Sequence, residues 1–278
     1  MISIVIVSWN VKDILERCLQ SIDETADLPF ELFVIDNNSE DSTKVFLKDY
    51  KPNNALMSKH EVIYNDKNLG FSKALNKGLS KARGEYVLIL NPDTRMIEPS
   101  LQKMVNVASS CKNLGVMGFK ILNPNGKLQW SISRLPGLRR QLEARLGLWK
   151  PKFDYDKLQE TEQINASVAL IPKKVLDDVG LWDDGFFIWF EENDFCRRAR
   201  NKGFKIYYSP EISVIHESQA GIKKIPFWKR QFIWQKSMFR YFRKHHGLAQ
   251  AIAISILDPI FMIIGTLVHK AKRSFTKM

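Results

Sequence analysis

Ile2-Ser3-Ile4-Val5-Ile6-Val7-Ser8-Trp9-Asn10 opens the chain, and Phe33-Val34-Ile35-Asp36-Asn37-Asn38-Ser39 follows the same plan, an apolar run that ends in a polar cluster. Tyr86-Val87-Leu88-Ile89-Leu90-Asn91-Pro92-Asp93 does so again. With residues 61–65 and 115–119 these runs read as strands, and the amphipathic stretches 11–24, 41–50, 71–82 and 99–110 read as the helices between them. Strand–helix alternation predicts an α/β fold, a mostly parallel central sheet with helices on both faces. Ligands on such sheets bind beyond the carboxyl ends of the strands. The polar clusters Ser8-Trp9-Asn10, Asp36-Asn37-Asn38, the stretch 65–70 and Asn91-Pro92-Asp93 all fall at those ends.

From 120 to 218 the pattern shortens. Residues 127–133, 164–171, 205–208 and 213–216 read as strands. Residues 138–148 and 191–202 read as helices, the second ended by Gly203, and 150–162 as a polar loop. No Gly-, Ser- or Pro-rich linker separates this half from the first, so the two are expected to pack as one domain.

The chain has 278 residues, 45% hydrophobic and 26% charged, which is the profile of a folded globular protein. Cys18, Cys111 and Cys196 are odd in number and contain no CxxC pair, which argues against a disulfide framework or structural zinc and fits a reducing compartment. The first strand begins without a basic leader, so no secretory signal is expected. The net charge of +12 is unevenly spread. Residues 219–278 hold 12 Lys/Arg against Asp258 alone, while residues 1–218 hold 30 Lys/Arg and 29 Asp/Glu.

A basic tail on a neutral body suits an anionic surface. Within it, residues 226–246 interleave aromatics with Lys and Arg, and 248–268 form a 21-residue mostly apolar run followed by Lys270, Lys272 and Arg273. That length nears a bilayer span. Asp258 at its centre would cost ~2.5–3.5 kcal/mol on insertion scales. Two half-helices in the membrane interface are therefore expected, broken at Asp258-Pro259, in preference to a span or to a hairpin packed on the domain. The neutral body and the apolar run argue against nucleic acid as partner.

Asp93, at the end of a buried strand, has the chemistry to hold Mg²⁺ or Mn²⁺ shared with substrate phosphates, although Asn-Pro-Asp is also ordinary turn sequence. Asp36 could accept a hydrogen bond from the imide N–H of a uracil or thymine. Asn68-Leu69-Gly70-Phe71, with Asn76 and Gly78, opens a helix whose N-terminus favours a pyrophosphate. It is not GxGxxG, which counts against a dehydrogenase. Glu191-Glu192-Asn193-Asp194 starts a helix after the aromatic run 186–190. Adjacent carboxylates with apolar neighbours favour a poised general base. Acids in a first helical turn also complement the dipole for ~0.3–1 kcal/mol each, and spacing alone favours that simpler account. His216 could join a metal from the side opposite Asp93.

In order and spacing these segments resemble glycosyltransferase family 2, in particular its rhamnosyltransferase-like bacterial branch. The resemblance runs through Val5–Asn10 (Val-Ile-Val-Ser-Trp-Asn), Val34–Ser39 with Asp41, Asn68–Phe71 with Asn76 and Gly78, and Leu90–Asp93. It continues through Val179–Asp183 with Phe186-Phe187, then Glu191–Arg198 with Gly203, Pro210 and His216. It covers roughly residues 2–220.

The resemblance implies a GT-A fold over 1–220. Residues 1–120 would bind the nucleotide sugar and 121–220 the acceptor and catalytic groups, followed by the helical, membrane-associating tail 221–278. It implies an inverting reaction with a nucleotide-diphosphate-sugar donor, dTDP-rhamnose or a UDP-hexose. The acceptor would be lipid-linked or a glycan, met at the cytoplasmic face of the cell membrane in cell-surface glycan synthesis. The residues matching the family's donor site are Ser8, Asn10, Asp36, Asn68, Gly70, Asn76 and Asn91. Asp93 and His216 match the metal site, with Mg²⁺ or Mn²⁺ as cofactor. Glu192 matches the base, with Glu191 and Asp194 as alternatives. Two departures stand out: the DxD metal motif reads Asn91-Pro92-Asp93, and the base position carries Glu where the family has Asp. They are the support for a non-catalytic, membrane-associated nucleotide-sugar-binding scaffold as the alternative.

Overall fold

The computed structural model describes residues 1–148, 153–217, 221 and 224–275, with side chains to 266. The first half runs β1 (Ile2–Ser8), α1 (Lys12–Thr25), β2 (Phe30–Asp36), α2 (Thr43–Asp49), β3 (Met57–Tyr64), α3 (Phe71–Leu79), β4 (Tyr86–Leu90), β5 (Thr94–Met96), α4 (Leu101–Ser110) and β6 (Leu114–Leu122). The second runs β7 (Leu128–Gln129), β8 (Ile132–Ser133), α5 (Leu138–Arg145), β9 (Gln159–Thr161), β10 (Gln163–Ile164), β11 (Val168–Pro172), α6 (Lys173–Val179), α7 (Glu191–Asn201) and β12 (Lys205–His216). Two tail helices follow, α8 (Phe227–His246) and α9 (Leu248–Phe275).

The main sheet has ten strands, eight of them in the order β3-β2-β1-β4-β11-β6-β12-β5. β3, β2, β1 and β4 are mutually parallel. The expected mostly parallel sheet holds for these four and needs correction beyond them. β11 enters antiparallel between β4 and β6, and β12 is parallel to β6 but antiparallel to β5 and β9.

Each face of the sheet carries a core. Leu15, Cys18, Leu19 and Ile22 recur at helical spacing and bury α1 with Leu101 and Met104 of α4 against one face. Ala74, Leu75 and Leu79 of α3, Val175 and Leu176 of α6, and Phe195 and Ala199 of α7 cover the other. Gly78 lets α3 approach closely, since a Cβ there would lie 2.5 Å from Val5 Cγ1.

Several expected elements differ. The strand at 127–133 is two short pieces, and that at 164–171 is split by the polar stretch Asn165–Ser167. The two strands at 205–208 and 213–216 are one, β12, with a register shift between Ser209 and Ser213. The polar loop at 150–162 includes β9, and its residues 150–152 lie outside the described residues, as do the side chains of Lys270, Lys272 and Arg273.

The expected break at Asp258-Pro259 is also corrected, because α9 is one helix with Pro259 inside it. Its segment Leu248–Thr266, of mean hydropathy 1.9, has the length and composition to cross a membrane. Asp258 nonetheless is fully buried within the protein. Arg145 of α5 donates Nε to its Oδ1 at 2.7 Å and Nη2 to its Oδ2 at 2.8 Å, and Gln235 of α8 donates to Oδ2 at 2.9 Å. A carboxylate paired in this way has no need to end the helix in water. Interior proline costs ~3 kcal/mol, offset here by the packing of α9 on α5 and α8.

Candidate active site

The parallel strands deliver Val7, Trp9, Asn37 and Asn91 to one end of the sheet, and a cavity of about 430 Å³ opens there. That size falls within the usual range for small-ligand sites. Asn68, Gly70, Asn91, Asp93, Glu191, Glu192 and His216 line it. The sequence expectations thus converge on one space for seven residues, and five others sit differently.

Asp36 is fully buried behind the lining. Its Oδ2 accepts the Ser39 N–H at 3.1 Å, while Oδ1 has no partner among the described residues. Ser8 is buried nearby, its Oγ equally without one. Asn10, at φ 55°, accepts the Glu40 N–H at 2.6 Å and donates its own N–H to Ser39 Oγ at 2.8 Å, so it clips two loops together. Asn76 holds the backbone N–H and C=O of Trp182 from α3 and lies off the cavity. Asp194 is a correction: it is fully buried and does not line the cavity. Arg198, Lys244 and His245 each donate to it at 2.7–2.8 Å. Burial works to raise its pKa, but those three hydrogen bonds hold it below the ordinary value. Tied into the tail in this way, it is not available as a base.

Asp93 and His216 meet because β5 pairs with the end of β12, His216 opposite Thr94. The ring Nε2 lies 3.1 Å from Asp93 Oδ1 and 3.1 Å from Ser167 Oγ. On the far side Nδ1 lies 2.9 Å from Gln129 Oε1. The Gln129 amide is oriented by its Nε2, which donates to Asn123 Oδ1 and to the His216 carbonyl. The Gln129 oxygen on Nδ1 fixes the ring with Nε2 turned to Asp93 and Ser167. A carboxylate and an imidazole side by side are ligand types that could share a divalent cation. Among the described residues no group of three His, Cys, Asp or Glu side chains is gathered as a metal set. A metal held by this pair would draw its remaining ligands from substrate oxygens and water. Asn91 sends Nδ2 to Ser167 Oγ at 3.3 Å, a donation that a carboxylate at that position could not make.

Glu191 and Glu192 open α7 and line the same cavity. Burial pushes the Glu192 carboxyl up to about 7, and burial with the neighbouring Glu192 charge holds Glu191 well above the usual carboxylate range. One oxygen of each has no hydrogen-bond partner among the described residues. Just before them, Trp189 and Phe190 both adopt φ 68°, a region that costs bulky residues about 1–3 kcal/mol each. Tail helix α8 holds this turn: Ser237 Oγ donates to the Ile188 carbonyl at 2.8 Å, and Trp234 packs edge-on to Trp189 and Phe190. At Gly70, φ 80°, the close approach comes from the same loop, because a Cβ would lie 2.6 Å from the Phe187 carbonyl. The N–H of Phe71 donates to that carbonyl, so the first amide of α3 is already engaged.

Ser167, Asn165, Gln129 and the lining Trp130 and Trp189 were not singled out from sequence as site residues. The signal for two of them was present, since Asn165-Ala166-Ser167 is a polar interruption in an apolar run.

An α/β sheet with a carboxylate–imidazole pair and a raised-pKa carboxylate in one cavity at its strand ends has the groups of an enzyme site. The chain belongs to glycosyl transferase family 2, whose family model matches residues 3–180, and it is a glycosyltransferase. It is 25% identical over 248 residues to an N-acetylglucosaminyl-diphospho-decaprenol L-rhamnosyltransferase of Mycobacterium tuberculosis, covering 81% of this chain and 79% of the relative. With the rhamnosyltransferase WbbL of Escherichia coli it shares 23% over 256 residues, 90% of this chain and 95% of WbbL. Its fold matches a Pyrobaculum calidifontis mannosyltransferase solved with GDP-mannose and Mn²⁺, at a TM-score of 0.63 and 14% identity over 98% of this chain and 75% of that one.

Proposed function

We propose that this enzyme moves rhamnose or another hexose, with inversion, from a nucleotide-diphosphate donor to a lipid-linked or glycan acceptor in cell-surface glycan synthesis. The observation that carries the reading is one cavity lined by Asp93, by His216 paired with it, and by Glu192, its carboxyl raised to about 7. The names of the two relatives support rhamnosyl transfer, one of them to a prenyl-diphosphate sugar.

Asp93 and His216 would hold Mg²⁺ or Mn²⁺, the carboxylate supplying the oxygen ligand such cations favour. When bound, such a cation neutralises the charge that develops on the departing nucleoside diphosphate. Gln129 holds the His216 ring with Nε2 turned toward Asp93, and Ser167 steadies Asn91 beside it. Glu192 takes the acceptor hydroxyl proton while that oxygen forms its bond to the sugar's C1 and the C1–O bond to the diphosphate breaks. The two reacting oxygens lie on opposite faces of C1, so one displacement inverts the centre. Protonated Glu191 stays neutral beside the base. Asp36, whose Oδ1 has no partner among the described residues, would meet the imide N–H of a uracil or thymine base once the lining in front of it is displaced. Placement at the cytoplasmic face of the membrane, through the tail, would bring the site to a lipid-borne acceptor.

The test is release of nucleoside diphosphate from a panel of UDP-, dTDP- and GDP-sugars with Mn²⁺, Mg²⁺ or EDTA. Metal-dependent release from one donor is the expected result. Nucleotide binding without turnover, even with a prenyl-diphosphate sugar present, would overturn the reading in favour of a binding scaffold.

A further inference from the structure

Helix α8 lies along the stretch of chain that carries the two site glutamates. Its residues Trp234, Ser237, Tyr241 and Lys244 recur every three or four positions, which puts them on one face. That face follows the body from Asp183 to Asp194. Trp234 packs edge-on to Trp189 and Phe190, Ser237 Oγ donates to the Ile188 carbonyl, and the Tyr241 ring lies 5.6 Å from that of Phe190. Lys244 ends the row and meets both ends of the stretch at once. Its Nζ lies 2.7 Å from Asp183 Oδ2 and 2.7 Å from Asp194 Oδ1.

Arg240 reinforces the first of these contacts. Its Nη2 donates to Asp183 Oδ1 at 2.6 Å, and its guanidinium lies over the Phe186 ring. Gly185 leaves room for it, since a Cβ there would meet the guanidinium. Burial works to raise the Asp183 pKa, but hydrogen bonds from Lys244, the Gly185 N–H and Arg240 hold it well below the ordinary carboxylate range. Arg198 and His245 complete the second contact, at Asp194. Between the two anchors lie Trp189 and Phe190 at positive φ, then Glu191 and Glu192. Backbone of that kind persists only where its surroundings over-determine it. The Phe187 carbonyl, in the same stretch, accepts the Phe71 N–H at 2.6 Å, so the stretch also abuts the loop at Gly70.

We propose that Lys244 is a positioning residue for the reaction: by joining Asp183 to Asp194 it holds the 183–194 stretch closed and fixes Glu192 in the cavity. Lys244 itself stands outside the cavity lining. The inference rests on the transferase reading above and extends the reaction's machinery to a residue of the tail. It also assigns part of the tail's positive charge to the body, because Arg240, Lys244 and His245 all turn to these two carboxylates. A neutral side chain at 244 releases the ends of the stretch and lets Glu192 leave its place. Misplacing a reacting group by ~1 Å can cost roughly a hundredfold. The defect falls on kcat, since Asp93 and His216 stand on other elements and are not tied to Lys244.

The test compares the full chain with Lys244→Met, Lys244→Arg and Arg243→Met, the last removing an exposed cation from the same turn. Each is assayed for nucleoside diphosphate release from UDP-, dTDP- and GDP-sugars with Mn²⁺ and a prenyl-diphosphate sugar. Each is also followed by amide hydrogen exchange read by mass spectrometry. Lys244→Met should lower kcat roughly ten- to a hundredfold and leave the donor's KM little changed. Its amides in 183–194 should exchange about tenfold faster while β1 and β4 keep their protection. Lys244→Arg keeps a cation between the carboxylates and should recover most of kcat, and Arg243→Met should match the unaltered chain. Unchanged kcat and unchanged exchange at 183–194 in Lys244→Met overturn the proposal. So does faster exchange that extends to β1 and β4, which makes Lys244 a residue of overall stability, and so does an equal loss in Arg243→Met. Release from no donor by the unaltered chain sinks the transferase reading instead, and the exchange comparison still decides whether Lys244 holds the stretch.

Discussion

At the start of α7, two adjacent carboxyls in an aromatic-walled cavity cannot both ionise cheaply. Glu191 lies well above the usual range and Glu192 at about 7, so the pair loses its first proton near neutrality. A base works in its deprotonated form. Transfer measured as kcat/KM should therefore rise with pH through about 7, instead of through the ordinary carboxylate range. Glu192→Gln should lower it by about 10²–10⁴. Glu191→Gln exchanges one neutral side chain for another and should cost far less. A profile flat from pH 5 to 8, or equal losses in the two variants, would contradict this assignment. The residue types of this site were legible in the sequence: Asp93, His216 and the Glu191-Glu192 pair stand where apolar runs end. Asp194 misled because spacing shows that three acids share a helical turn but not which way each faces. Its side chain turns to Arg198, Lys244 and His245, two of which come from a helix about fifty residues further on.

Among the elements, β1, β2, β4 and α1 stood out because each is buried by a single period, an apolar run or an amphipathic stripe. β5 is three residues long, Thr94-Arg95-Met96, and carries no such period. It is nevertheless what brings Asp93 to His216, through its pairing with β12. Strands this short form because a neighbour supplies their hydrogen bonds, which no local pattern records. The tail helix α9 was misread for a related reason. A charge followed by proline marks a break in isolation, whereas here Arg145 and Gln235 reach Asp258 from two other helices.

At the scale of the molecule, α9 shows the consequence of that pairing. Asp258, Ala251 and Ile254 face inward, and Leu248, Ile252, Ile256 and Ile260 stand exposed at four-residue intervals along the opposite side. Phe227, Trp228 and Phe232 of α8 are also exposed. A helix held to the domain by a buried ion pair and apolar along its outer side suits lying on a membrane. The full chain should sediment with phosphatidylglycerol vesicles, and removal of 225–278 should abolish this. Each of Ile252→Ser, Ile256→Ser and Ile260→Ser should weaken binding about tenfold or more, from the ~1.5–3 kcal/mol of burying such a side chain. Vesicle binding that survives the truncation would refute this role. The truncation should also abolish transfer, because it removes the α8 contacts to the strained Trp189-Phe190 turn.

The central claim is that Asp93 and His216 hold the cation that binds the donor's diphosphate, and nucleotide titration tests it most directly. Affinity for the nucleoside diphosphate of the active donor should depend on Mn²⁺ in the unaltered chain and fall at least tenfold in Asp93→Asn, to the level seen with EDTA. Binding of equal strength with and without Mn²⁺, or unchanged in Asp93→Asn, would contradict the account.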